Sequence, residues 1–314
     1  MKKSRLLSAV IAFLFPLFFS INSGASQVWV GAASNPNVAK YDFSATSLGN
    51  FSNPTGNATG GMSVVGNEVW LGSDSNGTIT KYDFSGGFLG ATSNPTGSAT
   101  SGMVAVGGEV WTGSDSNANI SRFDFTGSFL GTFSSATSSS TGDLALVGNE
   151  VWIGSATNTT VSMYDFSGGF LGNFSNGTSS GTGGLSQVGS EVWIGSDSNG
   201  TIARHDLLGT FLGNLSNPIG FASADIIVVG NEVWVGSDSN ATIAMFDFSG
   251  SLLGTFSNAT SASIGAMAAV VPLPPAVWLF GSGLLGLIGA ARRNACREHI
   301  SRYPLSASLR PPSI

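Results

Sequence analysis

The chain has one cysteine, Cys296, and two histidines, His205 and His299, among its 314 residues. A single cysteine excludes a disulfide framework and any cysteine-rich zinc site. Two histidines leave little for metal-ligand or triad chemistry. Charge is scarce as well. Asp, Glu, Lys and Arg make up 10% of the chain, where ordinary domains carry about 25%. Between residues 26 and 291 the bases are Lys40, Lys81, Arg122 and Arg204, against seventeen acids, a net of −13. Such a body repels a phosphate backbone, which argues against nucleic acid as a partner and for cations or neutral polar surfaces. No nucleophile-elbow, phosphate-loop or metalloprotease motif occurs. Glycine, by contrast, is abundant at 44 residues. It follows no three-residue period, so a collagen-like chain is excluded. A hydrophobic content of 42% is enough to bury a core and excludes wholesale disorder.

The two ends read as addresses rather than fold. Lys2, Lys3 and Arg5 precede an apolar run from Leu6 to Ile21, and Ser23-Gly24-Ala25 offers small residues for cleavage. This pattern predicts a secretory signal over 1–25 and a mature chain starting near Ser26, with an N-terminal membrane anchor as the alternative. Near the other end, Ala266 to Ala291 carries no charge. It contains Val271-Pro272-Leu273-Pro274-Pro275 and an apolar stretch from Ala276 to Ala291, followed at once by Arg292 and Arg293. Sixteen residues are short of the ~20 that span a bilayer, and flanking residues make up the difference. The arginines mark the cytoplasmic side. Box, apolar run and basic stop, in that order, resemble the PEP-CTERM sorting signal of Gram-negative bacteria, with Val271, Pro272, Leu273 and Pro274 as the box and Arg292 and Arg293 as the stop. The resemblance implies an exosortase as partner and processing at the proline box. It also implies a transient stay in the inner membrane and a final place at the cell surface or in an exopolysaccharide matrix. In one respect the chain departs from that pattern. Residues 294–314 continue beyond the basic cluster as a tail of uncertain role.

The middle is one unit written six times. Trp29, Trp70, Trp111, Trp152, Trp193 and Trp234 recur every 41 residues, as do Asp42, Asp83, Asp124, Asp165, Asp206 and Asp247. A period near 40 points to a solenoid or a propeller, and short apolar runs cut by glycine favour strands over helices. Each unit accommodates four strands. In one copy these are strand a, Met62 to Val65; strand b, Glu68 to Leu71; strand c, Thr78 to Phe84; and strand d, Phe88 to Thr92. Gly66-Asn67 predicts a two-residue hairpin turn, because both residues tolerate positive φ. The first copy begins at strand b, and the last ends with an extra strand a near Ile264 to Val270. That offset is what a closed ring needs, whereas an open array would need capping repeats. The expected fold is therefore an all-β, six-bladed β-propeller over 26–270, closed by a C-terminal strand that completes the first blade and followed by a transmembrane helix within 271–293. The blade frame, strand a, turn, VW-x-G-S-D-S-N, then Y-D-F-x-G-x-F-L-G, resembles NHL-type repeats.

Each recurrent residue has a bland and a functional reading. The tryptophans read as inter-blade packing, with sugar stacking as the alternative. The Asp ending strand c reads as a partner for turn amides. Lys40, Lys81, Arg122 and Arg204 lie two residues before that Asp, which suggests a same-face pairing, and the Glu after the hairpin reads as a solvated edge. Asp74, Asp115, Asp197 and Asp238 lie in the b–c loop as Asp-Ser-Asn. They read as an Asx turn, or as half of a calcium loop whose later bidentate acid is missing. The face they share with the d–a loops suits sugars or weakly held cations, which makes these four the ligand-face candidates. Asp143 and Asp225 stand off the main pattern at the start of strand a, toward the channel mouth. They are the weak candidates for a metal, by analogy of shape with gluconolactonase-like propellers, although no Glu or His accompanies them. No cofactor and no catalytic residue is expected. The leading expectation is a non-enzymatic binding or structural protein of the surface or biofilm matrix. The alternatives are a lectin with one sugar site per blade and a metal-dependent lactonase or esterase.

Overall fold

The structure is a computed structural model that describes residues 26–95, 99–220 and 222–272. The expected signal (1–25), the remainder of the sorting segment from Leu273 through Pro274, Arg292 and Arg293, and the tail 294–314 lie outside the described residues. Among the described residues, twenty-four strands form six four-stranded antiparallel sheets. Blades are numbered from the N-terminus and strands lettered a to d from the channel outward. Blade 2 comprises a Thr59–Val65, b Glu68–Ser73, c Thr78–Asp83 and d Phe88–Ser93. Blade 1 is assembled from both ends of the array. Its strands are a Ile264–Val270, b Gln27–Ala32, c Asn37–Asp42 and d Ser47–Ser52, in the order a-b-c-d. The closing strand pairs Gln27 with Val270 and Gly31 with Ala266.

Repetition makes the closure equivalent to any other blade junction. Tyr82 Oη donates to Asn53 Oδ1 at 3.0 Å between blades 2 and 1. Tyr41 Oη donates to Asn258 Oδ1 at 3.2 Å between blades 1 and 6, across 217 residues of chain. Strand a of each blade packs against strand a of the next around the whole ring.

The core lies between the blades. All six repeat tryptophans are fully buried. Trp29 meets Phe51 edge-on at 5.0 Å and Tyr82 of blade 2 at 6.2 Å, within a cluster of Val38, Met62, Val69 and Leu71 drawn from both blades. An indole buries on the order of 200 Å², about 5 kcal/mol of apolar transfer at ~25 cal/mol/Å². The packing reading therefore holds over sugar stacking. The glycine after each VW-x is a close-approach position. A Cβ on Gly72 would lie 2.5 Å from the Thr100 side chain at the start of the next blade's strand a.

The two-residue a–b hairpin is present as expected, while the expected pairing of the bases and the solvated Glu need correction. In the a–b hairpins Gly66 has φ +60° but Asn67 does not take a positive φ. A left-handed first position alone is the type II′ signature. Only Gly107 and Gly108, a glycine pair, are both left-handed. The bases do not pair with the strand-c Asp. Arg122 lies opposite Trp111 across the b–c ladder and reaches diagonally to Glu109, its Nε 2.7 Å from Oε2. Arg204 binds Glu191 in the same way at 2.6 Å. Lys40 Nζ instead donates to the Ser85 carbonyl of the next blade at 2.8 Å. The Glu is not merely a solvated edge either, since Glu68 Oε2 accepts the Trp70 indole N–H at 2.8 Å, as Glu150 does from Trp152 at 2.9 Å.

Candidate functional site

In a four-stranded meander the a–b and c–d turns lie at one end and the b–c and d–a loops at the other. The channel opens at the second end. The residues that begin each strand a form its wall, and the b–c loops form its rim. A cavity of about 340 Å³ occupies this mouth, lined by Asp74, Asp115, Asp197 and Asp238, with Ala33 and Ala156 at the equivalent positions of blades 1 and 4. The acids thus fall in two adjacent pairs separated by alanines, a two-fold pattern on a six-fold frame.

These aspartates do not make the turn. Ser73 Oγ accepts from the amides of Ser75 at 3.1 Å and Asn76 at 3.2 Å, and Asn76 Oδ1 accepts from Thr78 at 2.8 Å. Ser196 and Asn199 do the same in blade 5. The Asx role assigned to Asp74 and its equivalents therefore belongs to the flanking Ser and Asn. Among the described residues, no other residue donates a hydrogen bond to the four carboxylates, which are left facing the mouth. Burial, then the charges of Asp115 and Asp238, raise Asp74 above the ordinary carboxylate range. Burial, then Asp197 and Asp115, raise Asp238. Among the described residues no group of three or more Asp, Glu, His or Cys is close enough to hold a metal ion.

Asp143 and Asp225 sit deeper than the mouth, in a second cavity of about 160 Å³ that shares Ser101, Ala224 and Gly265 with the first. Each ties its own blade to the next. Asp143 Oδ1 accepts the amide of Leu144 at 2.7 Å and its Oδ2 that of Leu185 at 2.8 Å. Asp225 Oδ1 accepts from Ile226 at 2.7 Å and Oδ2 from Met267, across the ring closure, at 2.6 Å. Glycine at the same position of the preceding blade makes room, since a Cβ on Gly102 would lie 2.6 Å from Asp143 Oδ1. Burial pushes Asp225 up to about 6 against the pull of its two amides. Burial and then the Asp225 charge push Asp143 well above its ordinary value.

Among the described residues, none that lines the channel complements these acids with a base. His205 is buried in strand c, its ring nitrogens 3.1 and 3.0 Å from the carbonyl oxygens of Gly209 and Asn176. The strand-c aspartates are consumed in their hairpins. Asp42 Oδ1 accepts from the amides of Ser44 and Thr46, each at 2.9 Å, and bonds from Ser44 and then Thr46 hold Asp42 below its ordinary range. One surface passed without a role in the sequence. In blades 2 to 5 a Phe-Leu pair opens strand d and is half exposed, as in Phe88 and Leu89, while blade 6 has Leu252-Leu253 and blade 1 Ser47-Leu48 there. Its signal was two consecutive apolar residues on the outermost strand, where alternation with polar residues is expected.

No protein-family profile and no curated protein matches this sequence. Solved structures do resemble it. A protein of unknown function from Bacteroides caccae matches with a TM-score of 0.61 at 9% identity, over 79% of this chain and 100% of that one. Virginiamycin B lyase from Staphylococcus aureus matches with 0.59 at 16% identity, over 74% and 81%. The computationally designed protein Ika8 matches with 0.50 at 22% identity, over 77% and 74%. At such identities the likeness shows the β-propeller fold alone.

Proposed function

We propose that the protein is an exported β-propeller, sorted by an exosortase to the cell surface or exopolysaccharide matrix, where it acts as a non-enzymatic binding or structural component. The observation that carries the non-enzymatic reading is the composition of the channel. Six carboxylates line it, and among the described residues no His, Lys, Arg or Cys lines it with them and no three acids come close enough to hold a metal ion. Acids of one sign favour cationic groups or polyhydroxyl surfaces as ligands. The alanines at Ala33 and Ala156 weigh against a lectin with one sugar site per blade and for a single ligand at the mouth. A lyase on the same fold does not alter this, because function resides in the site and not the frame.

The address rests on the N-terminal signal pattern and on the Val271-Pro272-Leu273-Pro274 box with Arg292 and Arg293. Replacing Pro272, Leu273 and Pro274 by alanine in an exosortase-bearing host should leave the protein in the inner membrane, read by fractionation. Release equal to wild type counts against the sorting reading.

A further inference from the structure

The channel wall is a ring of six strands a, and its backbone has a pattern of its own. In blade 2, Val65 and Glu68 close the two-residue turn as a hydrogen-bonded pair. Alternation along an antiparallel ladder then makes Met62–Leu71 a non-hydrogen-bonded pair. The Met62 N–H therefore points away from strand b, into the channel. The same register recurs in every blade, so six amides face inward: those of Met62, Met103, Leu144, Leu185, Ile226 and Met267. Four of them are taken, two by each buried acid. Asp143 in blade 4 accepts from Leu144 and from Leu185 of blade 5. Asp225 in blade 6 accepts from Ile226 and from Met267 of blade 1. The acids stand in alternate blades, and each spans one blade junction. The third junction of that series lies between blades 2 and 3. There the acid's position holds Gly61, and among the described residues no side chain accepts from the Met62 or Met103 amide. Both residues line the inner cavity of about 160 Å³.

We infer that the Met62 and Met103 amides bind the carboxylate of a small zwitterionic ligand, as Asp143 and Asp225 fill the other two junctions. The two filled junctions are the template. In each, one carboxyl oxygen accepts one amide and the second oxygen the other, at 2.6 to 2.8 Å. A ligand carboxylate has the same pair of acceptors, and N–H bonds to an ionised acceptor are the stronger kind. Room for it comes from glycine at this position in both blades, Gly61 and Gly102. Charge narrows the ligand further. Six acids line the mouth and the channel, so a bare anion is repelled on the way in. A carboxylate matched by its own ammonium carries no net charge. Asp74 and Asp115, at the mouth, belong to the same blades 2 and 3, and the mouth and the inner cavity meet at Ser101 of blade 3. The ligand therefore enters with its carboxylate inward and its ammonium toward the acids of the mouth. The inference rests on the reading of the channel as a binding site and names what that site takes. Export and sorting do not enter it.

Methionine makes the test direct. The chain has six methionines. Beyond Met1, Met62 and Met103 form the proposed site, Met267 is held by Asp225, and Met163 and Met245 lie in strands c. The full chain, carrying nitrogen-15 methionine in a non-ionic detergent, is titrated with glycine and with β-alanine, and its amide signals are followed by NMR. Met62→Leu and Met103→Leu, which copy Leu144 and Leu185, assign the two signals. With at least one of the two amino acids, the Met62 and Met103 amides should shift while Met163, Met245 and Met267 stay. Ethylamine should move neither, and acetate should need about tenfold more for the same shift, one decade of affinity for the missing ammonium. Gly61→Asp supplies the third carboxyl from the chain itself and should abolish the response. Gly61→Ala, which copies Ala266, should keep it. A Cβ on Gly61 meets no atom closer than 3.1 Å. Shifts spread over all five signals overturn the inference, as do shifts that survive Gly61→Asp, and the parent signals decide alone should that variant not fold. Acetate acting at equal concentration overturns the zwitterion. Uptake of carbon-14 glycine or β-alanine in equilibrium dialysis with both amides unmoved keeps the channel as a binding site and overturns the amide assignment. Neither uptake nor shift with both amino acids overturns the ligand class.

Discussion

Two populations of aspartate in this chain respond to pH with opposite sign. Those in the c–d hairpins, such as Asp247, held down by bonds from Ser249 and then Ser251, stabilise the fold above the unfolded pKa and lose that contribution as pH falls. Asp225 is raised by burial to about 6. Its folded state prefers the proton, so its favourable contribution is present in acid and is lost as pH rises through about 6. Ala266 occupies the equivalent position in blade 1, so Asp225→Ala fits the site. Between pH 4.5 and 7.5 the stability of wild type relative to Asp225→Ala should fall by on the order of 2 kcal/mol, since about 1.4 kcal/mol accompanies each tenfold change in proton affinity. Denaturant midpoints that stay parallel across that range would remove Asp225 from the pH response. Neither sign was legible in the sequence. Asp143 and Asp225 were visible as departures from the repeat, and the 41-residue period aligns them with Gly102 and Gly184 one blade back, but the alignment does not say that those glycines pack directly against the buried acids.

Strands b, c and d were legible to within two residues, because the 41-residue period aligns six copies and glycine punctuates each strand, while strand a begins at Thr59, three residues before the expected Met62. The ladder register was not. Two residues apart on one strand put Lys or Arg on the face of the strand-c Asp, yet the b–c register sets Glu109 diagonal to Arg122 at bidentate distance, and the Asp has already accepted its own hairpin. The rim of strand d went unassigned for a related reason, since a run read only as a strand does not say which neighbour fails to cover it. The c–d hairpin provides a direct test. Asp83 Oδ1 accepts from the Ser85 amide and the Gly87 amide at 2.8 Å each and from Ser85 Oγ at 2.6 Å. Burial raises its pKa, but the bonds from Ser85 and Gly87 outweigh it and leave it lowered. Asp83→Ala should cost about 1 kcal/mol, a fall in Tm of about 2–4 °C for a domain of this size. Asp83→Asn, which keeps an acceptor oxygen, should lose less. Calorimetry showing equal losses would mean that the charge and not the turn geometry matters.

At the scale of the molecule, stability depends on a strand supplied from the far end of the array. Ile264, Met267 and Val270 on that strand are buried, and it packs against strand a of blades 2 and 6. Deleting residues 262–270 exposes the edge of Gln27–Ala32 and removes at least about 5 kcal/mol of apolar burial. The expected result is a Tm lower by more than about 10 °C, or aggregation. Placing 264–270 ahead of Gln27 through a Gly-Asn turn, the connection other blades use, should restore the parent Tm. A deletion that melts like the parent would show that the ring does not rely on its latch. The latch also sets a schedule. A chain threaded through a membrane N-terminus first delivers Gln27 early and Val270 last, so blade 1 stays an open three-stranded edge for the whole of transit. Assembly cannot finish blade by blade but is completed in one late event, as the chain passes Val271 and Pro272. Under the proposed sorting, a cut at the proline box would release a finished ring, while the same cut ten residues earlier would release one with its first blade unsealed.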